Sequence, residues 1–268
     1  MTEPSSCRSC DRRVVRARWL VPMTGPPLEH AWLVIERGRF AAYGGGRPPY
    51  PMRETLDLGE AILLPGLVNA HTHLEFSELA EPLEAAGGLP GWIGRVVATR
   101  RSRDTDASPA DTAEAHAGAS IRRGLSESAA AGVTTIGEIA TAAPPAAYAG
   151  PGPAIRVFRE GLGLRAAAID AVPRRIAADL DRLAAAGIAC GISPHAPYSV
   201  AAPLGRRLLA EADRRRLPVA MHLLESDAEA ELLAAGTGPF RRLLEDLGAW
   251  EPSSPPALLP AAEWIGRL

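Results

Sequence analysis

The pattern of apolar and polar positions changes character once along the chain. From residue 14 to about 57, short runs rich in β-branched and aromatic side chains (14–20, 31–36 and 40–43) are split by clusters such as Gly44-Gly45-Gly46-Arg47-Pro48-Pro49. Short strands joined by tight turns produce this pattern. It predicts a small all-β unit, with His30 in one of its exposed loops. Beyond it, apolar runs of strand length recur at 64–70, 133–140, 154–161, 188–193 and 218–223, and the stretches between them carry helical periodicity. The segment 108–131 predicts a helix capped by Ser108, opened by Pro109 and stopped by Gly132. In 173–186 the apolar Ile176, Leu180 and Leu183 recur at steps of four and three, and Gly187 closes the helix. Further helices are expected at 203–216, 228–235 and 238–247. Between 81 and 103 the turn-rich Gly87-Gly88-Leu89-Pro90-Gly91-Trp92 precedes an amphipathic piece, which predicts a loop over a pocket. Strand-length and helical stretches alternate through this part of the chain. The expected division is a tail at 1–12, a β unit at 13–60 and an α/β unit at 61–268.

Composition narrows the function. The 268 residues are 47% hydrophobic with a net charge of −2, enough to bury a sizeable core. Arginines are interleaved with acids along helical stretches such as 206–216, and there is no basic stripe, which argues against a nucleic-acid partner. No run approaches the roughly 20 apolar residues of a membrane span, and residues 1–10 lack the apolar core of a signal peptide. A cytoplasmic location is expected. Three cysteines, an odd number, fit a reducing compartment. Cys7-Arg8-Ser9-Cys10 has no second pair at zinc-ribbon spacing and is read as a reduced tail, with a metal-binding regulator as its alternative. The chain contains no lysine. That excludes a Walker phosphate loop, a pyridoxal phosphate Schiff base and any lysine nucleophile.

Candidate chemistry sits at strand ends. The first α/β strand enters His71-Thr72-His73, and residues two apart in a strand point the same way, so both imidazoles can share one metal ion. Near the third strand's end, Glu160 is placed either to face a substrate or to make a structural salt bridge. Strand four runs into Pro194-His195-Ala196-Pro197-Tyr198, where two prolines stiffen the turn that carries His195. His222 closes strand five and Glu225 follows three residues later. His116 is expected on a helix surface. His73-Leu74-Glu75 lacks the downstream P-C-x-x-C of a cytidine-deaminase fold, and His222-Leu223-Leu224-Glu225 is not the H-E-x-x-H of a zincin.

Together, four stretches carry a resemblance: Leu64-Pro65-Gly66-Leu67-Val68-Asn69-Ala70-His71-Thr72-His73, Thr134-Thr135-Ile136-Gly137-Glu138, Ser193-Pro194-His195-Ala196-Pro197-Tyr198 and Met221-His222-Leu223-Leu224-Glu225. They resemble the first, second, fourth and fifth strands of the amidohydrolase superfamily, in the branch that deaminates aminopurines and related rings. The resemblance runs from about Arg16 to the last residue. It implies an incomplete (β/α)8 TIM barrel of about five strands, preceded by the first part of a composite β-sandwich. It also implies one divalent metal, zinc with iron or manganese as substitutes, on His71, His73 and His222. The carbamylated lysine of binuclear branches cannot be built here. Glu225 is then the catalytic proton shuttle, with His195 and Glu75 toward the substrate; Glu160 keeps the two readings given above. The implied reaction is hydrolytic deamination of an aminopurine-type or related N-heterocycle, a small molecule. Chlorohydrolase or amide hydrolysis on the same metal, and a catalytically inactive remnant, are the alternatives; a homo-oligomer stays open. A strand-six histidine and a strand-eight aspartate that the family uses have no counterpart after His222. A barrel takes about 250 residues, so a C-terminal truncation is expected, with open sheet edges, poor solubility or partial disorder, weak zinc binding and no useful turnover.

Overall fold

The computed structural model describes residues 12–48, 55–106, 113–251 and 255–268. The Cys7–Cys10 motif and the Ser108-Pro109 helix start lie outside the described residues. The chain divides into two compact units, 1–66 and 67–268.

In the first unit, β1 (Arg12–Leu20), β2 (Leu28–Glu36) and β3 (Arg39–Gly45) form an antiparallel meander; β4 (Thr55–Asp57) and β5 (Ile62–Leu63) pair in parallel with the other side of β1. The β2–β3 turn has Arg37 and Gly38 at φ 50° and 71°. Positive φ at both central residues matches the right-handed strand twist and is tolerated best with glycine second. Val14, Ala17 and Leu20 of β1 and Ala31, Leu33 and Val34 of β2 are buried, with Val14 opposite Val34 and Ala17 opposite Ala31. His30 was expected in a loop; it is exposed but lies within β2, at φ 49°, where its carbonyl accepts the Gly46 N–H at 2.9 Å. That pairing holds the kinked residue in the strand.

The second unit is α/β. Four parallel strands, β6 (Leu67–Thr72), β7 (Val133–Ala140), β8 (Ala154–Gly161) and β9 (Ala189–Pro194), lie side by side in chain order. Helices α1 (Gly88–Asp106) and α2 (Ala113–Ala130) connect β6 to β7; α3 (Ala166–Ala185) connects β8 to β9. Then come α4 (Ala202–Arg215), α5 (Asp227–Ala235), α6 (Gly238–Asp246) and the short α7 (Ala261–Ile265). The expected fifth strand is extended beside β9, held by Ile192 N–H to Pro218 O, Ala220 N–H to Ile192 O and His222 N–H to His195 O, at 2.9–3.1 Å. It forms a single parallel bridge, Ile192–Val219, rather than a ladder. β9 ends at Pro194, and Leu224, at φ 60°, ends the extended run.

α3 carries the buried stripe Val172, Ile176, Leu180 and Leu183, which meets Val157, Ile192, Leu204 and Leu208 in the main core. This helix starts seven residues before the expected Pro173, and places that proline in its interior. Proline lacks an N–H, so the carbonyl four residues back loses its helical partner. That carbonyl belongs to Ile169, and the Arg207 guanidinium reaches it at 3.4 Å. α1 likewise replaces the expected loop with one helix from Gly88, Pro90 being tolerated in its first turn. No helix among the described residues is long and apolar enough to cross a membrane.

Candidate metal centre and active site

Three strand ends bring the histidines together. β6 delivers His71, and His73 follows directly after it. The backbone beyond is pinned by its neighbours: Leu74 N–H donates to both carboxylate oxygens of Glu138, at 3.0 and 3.2 Å, and Ser120 Oγ donates to Leu74 O at 3.0 Å. Glu138 pairs in register with Thr72 and is fully buried. Burial raises its carboxyl well above the ordinary range, and the Leu74 N–H opposes that shift. Its chain neighbour Gly137 lies against Ala70; a Cβ there would sit 2.9 Å from the Ala70 carbonyl carbon, closer than real Cβ contacts allow. Glycine is thus what lets β7 approach the strand that carries His71. Glu138 belongs to the resemblance-bearing stretch, yet its positioning role escapes sequence reasoning. The available signal is an acid within the apolar half of its strand, between Ile136 and Ala140.

His222 donates its backbone N–H and its Nδ1–H to one acceptor, the His195 carbonyl, at 2.9 and 3.0 Å. With the proton on Nδ1, its Nε2 keeps a lone pair and lies 3.3 Å from His73 Nε2. One nitrogen from each of His71, His73 and His222 falls within 4.8 Å of the others. Burial, reinforced by His222 and His71, pushes His73 down to about 3. His71 is lowered as well, burial first and then His222. Metal ligation requires neutral imidazole, and crowded lone pairs without enough protons to pair them suit a cation. The donor set therefore fits one divalent metal.

Glu225 stands at the mouth of α5. Ser226 caps that helix by accepting Glu229 N–H at 3.3 Å, while the Glu229 carboxylate accepts Glu225 N–H at 2.8 Å. Tyr198 O–H donates to Glu225 Oε2 at 3.0 Å, and the Tyr198 ring stacks on Phe240 with centroids 4.2 Å apart. Tyr198 thereby holds the Glu225 carboxylate, and Glu229 holds the backbone that carries it. His195 is pushed down to about 3, by burial before its histidine neighbours. Glu160 is 3% exposed, and burial pushes it up to about 8.

A cavity of about 410 Å³ joins these groups. His71, His73, His195, His222, Glu160 and Glu225 line it, and apolar side chains of α1 (Trp92, Ile93, Val96) and α6 (Leu243, Leu244) form the opposite wall. Glu75 does not line the cavity: its two oxygens accept from Arg100 and Thr141. Arg100 also lies over the Phe76 ring, 5.1 Å from its centroid, so Glu75 ties α1 to the strand-end segment. His116 is exposed on α2. The buried Arg159–Asp179 pair, at 2.6 Å, has no signal in the local sequence.

The model of the amidohydrolase family matches residues 62–251. The chain belongs to the amidohydrolase family. It is similar to aminodeoxyfutalosine deaminase of a Nitratiruptor species, 30% identical over 194 residues that make up 69% of this chain and 44% of that protein. Among solved structures it resembles Helicobacter pylori aminofutalosine deaminase in complex with methylthio-coformycin, with a TM-score of 0.77 and 20% identity over 95% of this chain and 61% of that one. It also resembles atrazine chlorohydrolase from Arthrobacter aurescens complexed with zinc, with a TM-score of 0.66 and 20% identity over 88% of this chain and 58% of that one. At such identities the two structures show a shared fold. The chain spans less than two thirds of the length of each of these relatives.

Proposed function

We propose that this amidohydrolase family chain carries the metal-binding and proton-transfer half of a zinc-dependent aminohydrolase that deaminates an aminopurine-type or related N-heterocycle. The observation that carries the reading is the convergence of His71, His73 and His222 within 4.8 Å, on a cavity that Glu225 and His195 also line. The three imidazoles would hold the metal. Zinc suits such donors, and when bound it lowers the pKa of water toward 7 so that a nucleophile exists at neutral pH. Glu225, oriented by Tyr198 and by the Glu229 contact to its N–H, takes a proton from water and returns it to the ring nitrogen. His195, neutral at pH 7, orients the ring. Apolar side chains of α1 and α6 line the rest of the cavity and lower the polarity around the reacting groups.

The curated relative is a deaminase, and the fold is shared with both a deaminase and a chlorohydrolase. The product decides between them. Ammonia released from 6-aminopurine nucleosides supports deamination; chloride released from chlorotriazines without ammonia from any purine overturns it. In the same reading, residues 13–60 form the first part of a composite β-sandwich. The three cysteines, an odd number with Cys190 a buried free thiol, support a cytoplasmic setting.

A further inference from the structure

We infer that Glu160 is a specificity-determining residue: together with His195 it takes a nitrogen-bearing edge of the substrate heterocycle by hydrogen bonds. The inference rests on the aminohydrolase reading above and names what that site selects. Glu160 is the penultimate residue of β8, 3% exposed, and lines the cavity. Its Oε1 has no hydrogen-bond partner among the described residues. Buried carboxyl oxygens are normally paired, because an unpaired one gives up its hydration without return.

The cations that would make it a structural salt bridge are engaged elsewhere. Arg159, its chain neighbour, donates to Asp179 and to the Ala140 carbonyl. Arg100, on the cavity wall, is held by Glu75. His195 supplies the second group. Its Nδ1 lies 2.5 Å from Ser199 Oγ, and the Ser199 proton is given to Ala196 O at 3.1 Å. Ser199 must then accept, which puts the His195 proton on Nδ1 and leaves Nε2 as a bare acceptor.

Glu160, His195 and His222 each offer an atom within 4.8 Å of the others, a grouping that resembles a second metal site. His222 cannot serve it: Nδ1 is committed to the His195 carbonyl, and Nε2 faces His73. What remains is a carboxyl, able to accept and when protonated to donate, beside an imidazole that accepts. A ring nitrogen next to an N–H or amino group presents the complementary edge.

The test is calorimetric titration of the zinc-loaded chain, as wild type, Glu160→Gln and Glu160→Met. The probes are an adenine nucleoside, its monodeaza analogues, in which carbon replaces one ring nitrogen, and an aminotriazine. Wild type should lose about tenfold in affinity for one deaza analogue, and Glu160→Met should bind the parent no better than wild type binds that analogue. Glu160→Gln, which keeps a donor and an acceptor, should stay within a few-fold of wild type. Because the carboxyl lacks a partner, Glu160→Met should also melt no lower than wild type, and up to about 2–4 °C higher. Unchanged affinity for every ring in Glu160→Met overturns the inference, as does a lowered melting temperature with discrimination intact. Glu160-dependent binding of the triazine alone overturns the aminopurine reading and leaves this inference standing. Purine binding indifferent to Glu160 does the reverse, and a wild-type chain that takes neither ring overturns both.

Discussion

Replacing Gly137 with alanine should damage fold and site together. A methyl on Gly137 meets the Ala70 backbone, its carbonyl carbon at 2.9 Å and the oxygen nearer still, and backbone cannot rotate aside as a side chain can. Restoring an ordinary contact requires β6 and β7 to separate by on the order of 1 Å, against a normal strand spacing of about 4.8 Å. Overpacking of this kind costs about 1–3 kcal/mol. For a chain of this size that lowers the melting temperature by about 3–10 °C. Ala70 immediately precedes His71, so the same displacement misplaces a metal-site imidazole. Zinc affinity should fall about 10–100-fold, as it does when the support of a ligand is disturbed. Scanning calorimetry of the metal-free chain and competitive titration with a chromophoric chelator read the two effects separately. A variant that melts within a degree of wild type and keeps its zinc affinity would refute the argument from close strand approach.

Glu138→Leu orphans the buried Leu74 N–H, which should cost about 1–3 kcal/mol in urea unfolding and loosen zinc at His73, while Glu138→Gln, still an acceptor, should be milder; equal effects would show that the hydrogen bond is not the cause. Arg100→Leu strips the guanidinium from Glu75, whose side chain is only 10% exposed, and should destabilise by about 1–3 kcal/mol. Glu75→Gln in the same chain should recover part of that loss, and strict additivity in the double-mutant cycle would contradict the pairing. Glu160, raised from 4.5 to about 8, keeps a proton in the folded state that the unfolded chain releases, so its contribution falls as pH rises through that window, by at most about 1.4 kcal/mol per unit. The lowered His73 and His195 act in the opposite direction below 6.5. The wild-type-minus-Glu160→Gln difference, measured on the metal-free chain from pH 6.5 to 8, isolates the carboxyl, and parallel curves would count against its raised pKa.

Much of this arrangement is legible in the chain because each signal is local. His71 and His73 follow an apolar run, His222 and Glu225 flank a strand exit, and the stripe through Ile176, Leu180 and Leu183 marks α3. What escapes depends on partners distant in sequence. Pro173 reads as a helix start because proline usually is one, and Arg207, which reaches the carbonyl it frees, lies on another helix. The glycines and proline at 87–91 disguise the start of α1. Glu75 reads as facing the substrate because it follows the histidines; Arg100 and Thr141, 25 and 66 residues away, occupy it instead. The positioning role of Glu138 and the Arg159–Asp179 pair escape for the same reason, since an acidic or basic residue is read in sequence as exposed until its partner is known.

Zinc K-edge absorption spectroscopy on the chain loaded with one equivalent of metal tests the metal centre most directly. Three imidazole nitrogens at about 2.0–2.1 Å, with loss of bound zinc in the His71→Ala/His73→Ala double variant, is the predicted result. Sulfur at about 2.3 Å, or zinc retained unchanged by that variant, would contradict it.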